Sequence, residues 1–508
     1  MEKLTKILLI ALLIIVGGGI AFWKFWPKKT AEESTTTSTT EKESLLATML
    51  AFNLNDGLTG IQGAGNKFQE EGWNKFRNDS NLYSQYKTSL EKLYQERVGL
   101  VKQSGFRVDR EITGLFTWNV IEPEKGTFDW ELTDLAAKYA REAGVKFSAV
   151  VQPFASWDQA GTQPIASCTA LDFAWYDYKA GPPKDTEAYK TFLTKLVERY
   201  KDMVAIWEIG NEYDGQCGGY QNNPQGYFEL VKISSETIKE ADPQAKIANG
   251  GASELTHQDA ASIKSFWQKF FELGGGQYLD YFNLHYNSER SEGAKSDPST
   301  YLEHLTYFND LMANNGGKKP IIVTEIGTYS GTPSSQMQPP GGGQQPGIGG
   351  QQPGPAGQQP PPPAGQRVQG QSSLPTQSEN FQAAWYFKYS ILSFADGAEL
   401  LFIDLVGQDN DVIGGSAMFN TEGKARQFLT TLKTINAKIA GFSKSEKIAD
   451  GQYKFTVGGK TIYALWAGSM PAGITGQVKV TDYKGQEQTM DSGQVQISSD
   501  KPIFVEVK

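Results

Sequence analysis

Between residues 45 and 441, short apolar segments alternate with amphipathic segments. The intervening segments carry apolar residues at three- and four-residue spacing, with Lys and Glu on the other face, which is typical of helices that cover a sheet. The candidate strands are residues 47–55, 105–112, 146–154, 203–210, 246–251, 279–286, 320–326 and 399–405. Eight strands that alternate with helices predict an α/β protein whose main domain is a (β/α)8 TIM barrel.

The pattern changes after residue 441. Short segments of alternating apolar and polar residues follow, such as YKFTV and KTIYALWAG, and turn residues separate them. This spacing predicts a small all-β, sandwich-like domain over residues 442–508. The chain has 508 residues, whereas a simple barrel needs roughly 250, so the length leaves room for such a domain.

A long apolar segment, Ile7 to Trp26, lies within residues 1–29 and approaches the length that crosses a bilayer. Trp and Lys residues at its end resemble interfacial anchors, and no cleavage site typical of a signal peptide follows. Residues 30–44 are rich in Ser and Thr and predict a polar tether. We therefore expect a signal anchor that holds the barrel outside the cytoplasm on a membrane. Cleavage followed by secretion is the alternative.

Residues 331–378 consist mainly of Gly, Pro and Gln, with runs such as QQPPPPAGQ within the tract. This composition predicts a disordered insertion. A strand-like segment, PIIVTEIGT, precedes the tract and a helix-like segment, SENFQAAWYFKYSILSFADG, follows it. We therefore place the insertion in one strand-to-helix loop of the barrel, where long loops are tolerated.

The formal net charge is −9, and no basic block occurs outside the N-terminal segment. This balance argues against nucleic acid as a partner and suits an uncharged substrate. The chain has three His and two Cys residues, which do not occur in a metal-binding spacing. We therefore expect no metal and no other cofactor.

Two glutamates stand at the ends of candidate strands. Glu212 follows the fourth strand in the sequence WEIGNEY, and Glu325 ends the seventh in IIVTEIG. Barrel active sites lie at the carboxyl ends of the strands, where both residues are expected. Either glutamate alone has a structural interpretation, Glu212 as a carboxylate that begins a helix. A pair at this face favours catalysis, because a buried carboxylate is costly unless it is paired or used.

With this pair, residues 47–440 resemble clan A glycoside hydrolases, which are retaining (β/α)8 enzymes, and the pattern is closest to family 39 and its relatives. In that clan the acid/base Glu follows an Asn on strand four, and the nucleophile ends strand seven. The segment GFRVDREITGLFTWNVIEPEKGTFDW resembles the clan's second-strand segment, and Arg110 occupies the position of the arginine of that segment. The segment FNLHYN resembles the sixth-strand segment, which would bring His285 and Tyr286 near the nucleophile. The tyrosine directly follows the histidine here, whereas relatives commonly have H-x-Y.

The resemblance implies roles for these residues. Glu325 would be the nucleophile and Glu212 the acid/base, with Asn211 bonded to the sugar 2-hydroxyl. Arg110 would keep Glu325 ionised, and His285 would line the same floor. Without the resemblance, a salt bridge and a core histidine are the simpler interpretations. Aromatic residues in the loops after strands two to four are candidate sugar-stacking platforms, although each alone is more often plain packing: Trp118, Trp157, Trp175 and Tyr213.

Cys168 and Cys217 fall in the third and fourth strand-to-helix loops, on one face of the barrel. We predict a disulfide between them, which suits an oxidising exterior. The function expected is a retaining glycosidase that cleaves β-linked polysaccharide or oligosaccharide. An inactive carbohydrate-binding or wall-scaffolding barrel and a transglycosylase are the alternatives. Sugar identity, linkage and endo or exo action are determined by the geometry of the loops around the site.

Overall fold

The structure is a computed structural model that describes residues 44–58, 60–62, 64–159, 182–215, 218–255, 260–286, 298–331, 376–406, 415–420 and 422–507. Four sequence predictions lie outside these residues: the N-terminal anchor, nearly all of the tether, the Cys168–Cys217 disulfide and the stacking role of Trp175. Most of the Gly/Pro/Gln-rich insertion also lies outside them. Among the described residues, no helix combines the length and the apolar character that a membrane span requires.

Eight parallel strands form the main sheet, in the order β5-β4-β3-β2-β1-β8-β7-β6. Their bounds fall within or close to the predicted segments: β1 (Leu46–Met49), β2 (Val108–Glu111), β3 (Lys146–Val151), β4 (Val204–Ile209), β5 (Ile247–Asn249), β6 (Phe282–Tyr286), β7 (Ile321–Ile326) and β8 (Ala398–Asp404). Parallel bridges from Ala248 to Tyr281 and from Ala252 to Leu284 join the two edge strands. The sheet therefore closes into the barrel that the sequence predicts.

Helices follow the strands and cover the outside of the barrel. In chain order they are α1 (Ala64–Glu71), α2 (Trp73–Asn78), α3 (Ser80–Ser104), α4 (Trp118–Ile121), α5 (Glu131–Ala143), α6 (Ser156–Gln159), α7 (Thr186–Tyr200), α8 (Pro224–Ala241), α9 (Ala260–Glu272), α10 (Ser299–Asn314), α11 (Glu379–Ala395) and α12 (Gln427–Ile439). Short 3-10 turns occur at Asn55–Leu58 and Gly275–Tyr278.

The longest of these helices, α3, shows how the sequence sets an element's bounds. The side chain of Asp79 accepts a hydrogen bond from the backbone N–H of Leu82, which caps the first turn. The helix ends at Ser104 and is capped by Gly105, whose left-handed φ of 81° is unfavourable for a residue with a side chain. Tyr86, Leu90, Tyr94, Val98 and Val101 recur on one face and are buried. This apolar stripe packs α3 onto the barrel.

Inside the barrel, apolar side chains form a layer below the carboxyl ends of the strands. One cluster contains Ala47, Met49 and Phe402, and another contains Ile206, Ala248 and Ile322. Alternate residues of a strand face the same side. Residues two positions beyond Ile206 and Ile322 therefore enter the barrel one layer closer to its carboxyl end. Those residues are polar, and they begin the site described below.

The C-terminal region forms a six-stranded antiparallel sheet in the order β13-β12-β14-β11-β10-β9. The strands are β9 (Phe442–Ala449), β10 (Gln452–Val457), β11 (Lys460–Leu465), β12 (Gln477–Asp482), β13 (Glu487–Asp491) and β14 (Ile503–Val507). Phe387 of α11 packs against Phe504, with ring centroids 4.7 Å apart. Lys438 of α12 forms ion pairs with Glu487 and Glu506. The all-β character predicted for this region is confirmed, and its sheet packs on the barrel helices.

The ends of the Gly/Pro/Gln-rich insertion meet on the barrel. Gly331, which follows β7, forms an antiparallel bridge with Gln377, which precedes α11. The backbone N–H of each residue donates to the carbonyl of the other, at 2.7 and 3.0 Å. The residues on either side of the tract therefore pair directly with each other.

Replacing residues 332–375 with a short Gly-Ser linker should leave the barrel folded. Loop closure costs less for a shorter loop, so the free energy of unfolding should rise by about 1–2 kcal/mol. Chemical denaturation followed by circular dichroism, with the full chain as control, measures the change. A destabilisation of more than about 2 kcal/mol, beyond what loop length explains, would contradict the placement of the insertion.

Candidate active site

Arg110 lies at the centre of the polar layer and is fully buried. Its Nε lies 2.9 Å from Oε2 of Glu208, and its Nη1 lies 2.9 Å from Oε1 of Glu325. Its Nη2 donates to Oδ1 of Asn211 at 2.7 Å. Burial lowers the pKa of Arg110, but the negative charges of Glu208 and Glu325 raise it by a larger amount. The pKa is therefore above its ordinary value, and the guanidinium stays protonated. One cation thus connects three side chains from the ends of β4 and β7.

Glu208 is a site residue to which the sequence analysis gave no role. It is fully buried, and its carboxylate accepts hydrogen bonds from Ser148 Oγ at 2.5 Å and from Asn283 Nδ2 at 3.0 Å, besides the Arg110 pair. Its donors therefore reach both carboxylate oxygens, as a buried charge requires. The signal was present in the sequence, because an acidic residue inside the apolar strand VAIWEI needs a partner within the barrel.

A register irregularity in β7 brings two neighbouring residues into the barrel. Leu284 pairs with Val323, but the next residue, His285, pairs with Glu325, so Thr324 is the extra residue of a bulge. Thr324 Oγ1 contacts the His285 ring, while Glu325 contacts Arg110. Regular alternation would direct one of these two side chains away from the barrel. The bulge therefore places the candidate nucleophile in the site.

His285 connects the two candidate catalytic carboxylates. Its Nδ1 lies 2.7 Å from Oε1 of Glu212 and 3.7 Å from Oε1 of Glu325. Its Nε2 lies 2.9 Å from Thr324 Oγ1, and that hydroxyl donates to Asn283 Oδ1. Because the Thr324 hydroxyl donates its hydrogen to Asn283, the His285 Nε2 carries a hydrogen and donates it to the Thr324 oxygen.

The two carboxylates also determine the charge of this ring. Burial lowers the pKa of His285, but the charge of Glu325, together with the hydrogen bond to Glu212 and its charge, raises it above the ordinary value. Because the pKa of His285 is higher in the folded state than in the unfolded state, its ion pairs with the carboxylates stabilise the fold. This stabilisation is fully present below pH ~6.5, the pKa of an ordinary histidine, and is lost as the pH rises through the folded-state pKa of His285. The carboxylates of Glu325 and Glu212 therefore favour the imidazolium form of His285, which offsets part of their negative charge.

Glu212 and Glu325 face each other at the mouth of the barrel. Oxygens of the two carboxylates and a ring nitrogen of His285 all lie within 4.8 Å of one another. The Glu212 side chain is 41% exposed, whereas that of Glu325 is 15% exposed. Retaining glycosidases keep their two carboxyl groups about 5–5.5 Å apart, and inverting enzymes about 6.5–9.5 Å. The spacing here suits the retaining arrangement.

The same three groups have a donor set that could surround a cation. Arg110 already supplies a positive charge to Glu325, and a protonated His285 has no lone pair on Nδ1 for a metal. These contacts give the carboxylates their counter-charges from the protein itself. The expectation of a metal-free, cofactor-free site stays a prediction.

The backbone at Glu212 and at Gly250 and Gly251 passes close to the catalytic side chains. Glu212 has a left-handed φ of 49°, and its N–H donates to the carbonyl of Gly250 at 2.7 Å. A Cβ at Gly251 would lie 2.1 Å from Nε2 of His285, so glycine is required where this segment passes the ring. Left-handed backbone at a non-glycine residue is uncommon and often marks a functional position.

The structure gathers some predicted site residues and not others. Arg110, Asn211 and His285 lie with the two glutamates, as described above. Tyr286 does not: its ring is buried beside Tyr301 and Tyr389, 4.6 and 6.2 Å away between centroids, because it follows His285 on the strand and faces the helices. The family resemblance implied a Tyr286 side chain near the nucleophile as a substrate-binding group, and the structure instead packs its ring away from the site.

The predicted stacking platforms need a similar correction. Trp118 is fully buried, and its Nε1 donates to Glu122. Tyr213 is also buried and stacks on Tyr220, with centroids 4.9 Å apart. Both rings belong to the core, so neither offers a face to a sugar. Trp157 is half-buried and meets Trp118 edge-on, so a stacking role for Trp157 stays a prediction.

Arg110→Met should destabilise the fold by about 3–5 kcal/mol, because it leaves the carboxylate of Glu208 buried without its cation. Adding Glu208→Leu should recover part of this loss, because the uncompensated charge is then removed. Urea denaturation of the two variants and the parent measures both steps. A loss below about 1 kcal/mol for Arg110→Met, the size of an exposed pair, would contradict the account.

Comparison with known proteins agrees with this architecture. A family 39 glycoside hydrolase from Bacteroides cellulosilyticus WH2 superposes with a TM-score of 0.54 at 16% identity, covering 82% of this chain and 78% of that one. A GH39 beta-xylosidase from Caulobacter crescentus gives a TM-score of 0.51 at 12% identity, covering 81% and 92%. At these identities the likeness establishes the fold.

Sequence comparison finds a relative that matches part of the chain. A probable mannan endo-1,4-beta-mannosidase C of Aspergillus terreus is 23% identical over 235 residues, which is 42% of this chain and 53% of that protein. The chain therefore spans about half the length of this curated relative. No protein-family model matches the chain. The predicted resemblance to clan A glycoside hydrolases, and to family 39 among them, is confirmed for the fold.

Proposed function

We propose that this chain is a retaining glycoside hydrolase, with Glu325 as nucleophile and Glu212 as acid/base. The observation that carries the proposal is the approach of the two carboxylates to within 4.8 Å at the ends of β4 and β7. That spacing allows one carboxylate to attack a sugar while the other protonates the departing oxygen. Family 39 enzymes, which share the fold, support the same class of reaction.

In the first step, an oxygen of Glu325 bonds to the anomeric carbon, and the bond from that carbon to the leaving oxygen breaks. The leaving oxygen takes a proton from Glu212, so the electron pair of the broken bond ends in a new O–H bond. Arg110 is bonded to Oε1 of Glu325 and keeps that group ionised before attack. The less exposed carboxylate is therefore the nucleophile, and the more exposed one reaches the leaving group.

In the second step, water attacks the same carbon and gives its proton to Glu212, while the bond to Glu325 breaks. Arg110 donates to Oδ1 of Asn211, and we propose that the amide of Asn211 contacts the sugar 2-hydroxyl. Such a bond strengthens as the ring flattens toward the oxocarbenium-like transition state. His285 contacts both glutamates and can follow the change in their charge during the two steps.

The substrate class proposed is a β-linked polysaccharide or oligosaccharide. Two of the similar proteins are named for β-1,4-linked substrates, a mannan endo-1,4-beta-mannosidase and an endo-1,4-beta-xylanase, and one neighbour is a beta-xylosidase. The net charge of −9 agrees with an uncharged glycan. Because both carboxylates are present and face each other, turnover is favoured over an inactive binding barrel.

Glu325→Gln should lower kcat by about 10⁴-fold or more on aryl β-glycosides, because no covalent intermediate forms. Glu212→Ala should lose activity mainly on poor leaving groups, and added azide should restore turnover as a β-glycosyl azide. Steady-state kinetics and product NMR measure both. An equally folded Glu325→Gln variant that keeps wild-type turnover, or a product of inverted configuration, would refute the assignment.

We further propose that the barrel works outside the cytoplasm, held on a membrane by residues 7–26 through the tether. The support is the apolar length of that segment and the Ser/Thr-rich composition that follows it. In that oxidising space, Cys168 and Cys217 would form their disulfide. Protease treatment of intact cells should release the barrel, and nonreducing peptide mapping should recover the linked pair. A barrel that stays protease-resistant until lysis, or two free thiols, would contradict these proposals.

A further inference from the structure

A second acidic residue, Asp214, lies two positions after Glu212 and is fully buried. Its Oδ2 accepts hydrogen bonds from the backbone N–H of Ser253 at 2.9 Å and from Nε1 of Trp267 at 2.6 Å. Its Oδ1 accepts the Ser253 hydroxyl at 2.7 Å. The donors belong to α9 and to the segment between β5 and α9. Asp214 therefore ties the segment after β4 to the segment after β5.

The segment after β5 also contacts the catalytic groups directly. The Gly250 carbonyl accepts the N–H of Glu212, and Gly251 packs against the His285 ring. Glu212 itself has the left-handed φ of 49°, a conformation that side-chain residues adopt only when their surroundings hold it. The Asp214 contacts follow two residues later in the chain and bond to the same segment after β5. They are placed to hold Glu212 in its unusual backbone conformation.

Asp214 does not reach the substrate, because its side chain is fully enclosed. Burial raises its pKa to about 6, against the hydrogen bonds from Ser253 and Trp267, and the charge of Glu212 raises it as well. An ionised Asp214 therefore lowers the stability of the fold above pH ~6, since the folded state holds the proton of this residue more tightly than the unfolded state does. A costly buried acid with three satisfied hydrogen bonds is consistent with a role in geometry.

We propose that Asp214 is a positioning residue for the acid/base: its three hydrogen bonds hold the turn that aims the Glu212 carboxyl at the leaving-group oxygen. This inference rests on the proposed function and adds a residue to it. General acid catalysis requires the proton donor within hydrogen-bond reach of its target, and a small displacement can cost about 10²-fold in rate. Loss of Asp214 should therefore impair proton donation more than nucleophilic attack.

Two substitutions separate the contacts from the charge. Asp214→Ala removes all three hydrogen bonds. Asp214→Asn can keep them, because its one oxygen can accept both N–H donors of Oδ2 and its NH₂ can donate to the Ser253 hydroxyl. Asp109→Ala is the matched control, since Asp109 is another fully buried aspartate with a pKa of about 6, bonded to Thr48 and Ala51 of the first strand and loop.

The kinetic test compares kcat/KM for aryl β-glycosides with good and poor leaving groups. A dinitrophenyl leaving group needs little protonation, whereas a methoxyphenyl group depends on the general acid. Asp214→Ala should lower kcat/KM by about 10–100-fold for the poor leaving group and by less than about threefold for the good one. Asp214→Asn should keep most of the parent's kcat/KM for the poor leaving group. Asp109→Ala should change kcat/KM by the same factor for both substrates.

Hydrogen exchange gives a readout that is independent of activity. The amide of Glu212, bonded to Gly250, should exchange faster in Asp214→Ala than in the parent, and Asp214→Asn should stay close to the parent. Equal losses for both leaving groups, or unchanged exchange at Glu212, would overturn the positioning role. A parent protein that cleaves no glycoside while exchange at Glu212 responds as expected would refute the proposed function and retain the Asp214 contact.

Discussion

The buried guanidinium of Arg110 must be neutralised inside the barrel, and this requirement links the fold to the site. Removing an ion from water costs several kcal/mol, which only close counter-charges and hydrogen bonds offset. Glu208 supplies one counter-charge from within β4, and Glu325 supplies the other from β7. Glu208 is in turn held by Ser148 and Asn283. Strands β2, β3, β4, β6 and β7 therefore meet in one polar layer.

This layer makes the position of Glu325 a consequence of barrel closure. Below it, the barrel is filled by apolar clusters, and above it the site opens to solvent. Two local departures from regular geometry occur at the layer's upper edge: the β7 bulge at Thr324 and the left-handed turn at Glu212. Both direct a carboxylate into the mouth. Irregular backbone at reacting groups is common, because function requires side chains where regular structure does not place them.

The sequence allowed the eight-stranded barrel to be predicted, because mostly apolar runs such as those of β3 and β7 alternate with amphipathic segments. It also placed Glu212 and Glu325 on one face, since strand ends meet there, and the family resemblance implied Arg110 beside them. It did not reveal that Trp118 and Tyr213 are enclosed, because loop aromatics look the same in a sequence whether they pack or bind. Side chains alternate along β6, so Tyr286 faces the helices when His285 faces the barrel interior. The prediction followed the family motif instead of this alternation. Glu208 was missed because a single acidic residue within an apolar strand does not identify its partner.

In the proposed mechanism, Glu325 becomes covalently bonded to a sugar while Glu212 faces it. The most direct measurement is labelling with a 2-deoxy-2-fluoro β-glycoside bearing a good leaving group, which slows the second step and traps the intermediate. Peptide mass spectrometry should then find the sugar on the peptide that contains Glu325, and prior Glu325→Gln substitution should abolish labelling. A sugar attached to Glu212 or to any other residue would contradict the account.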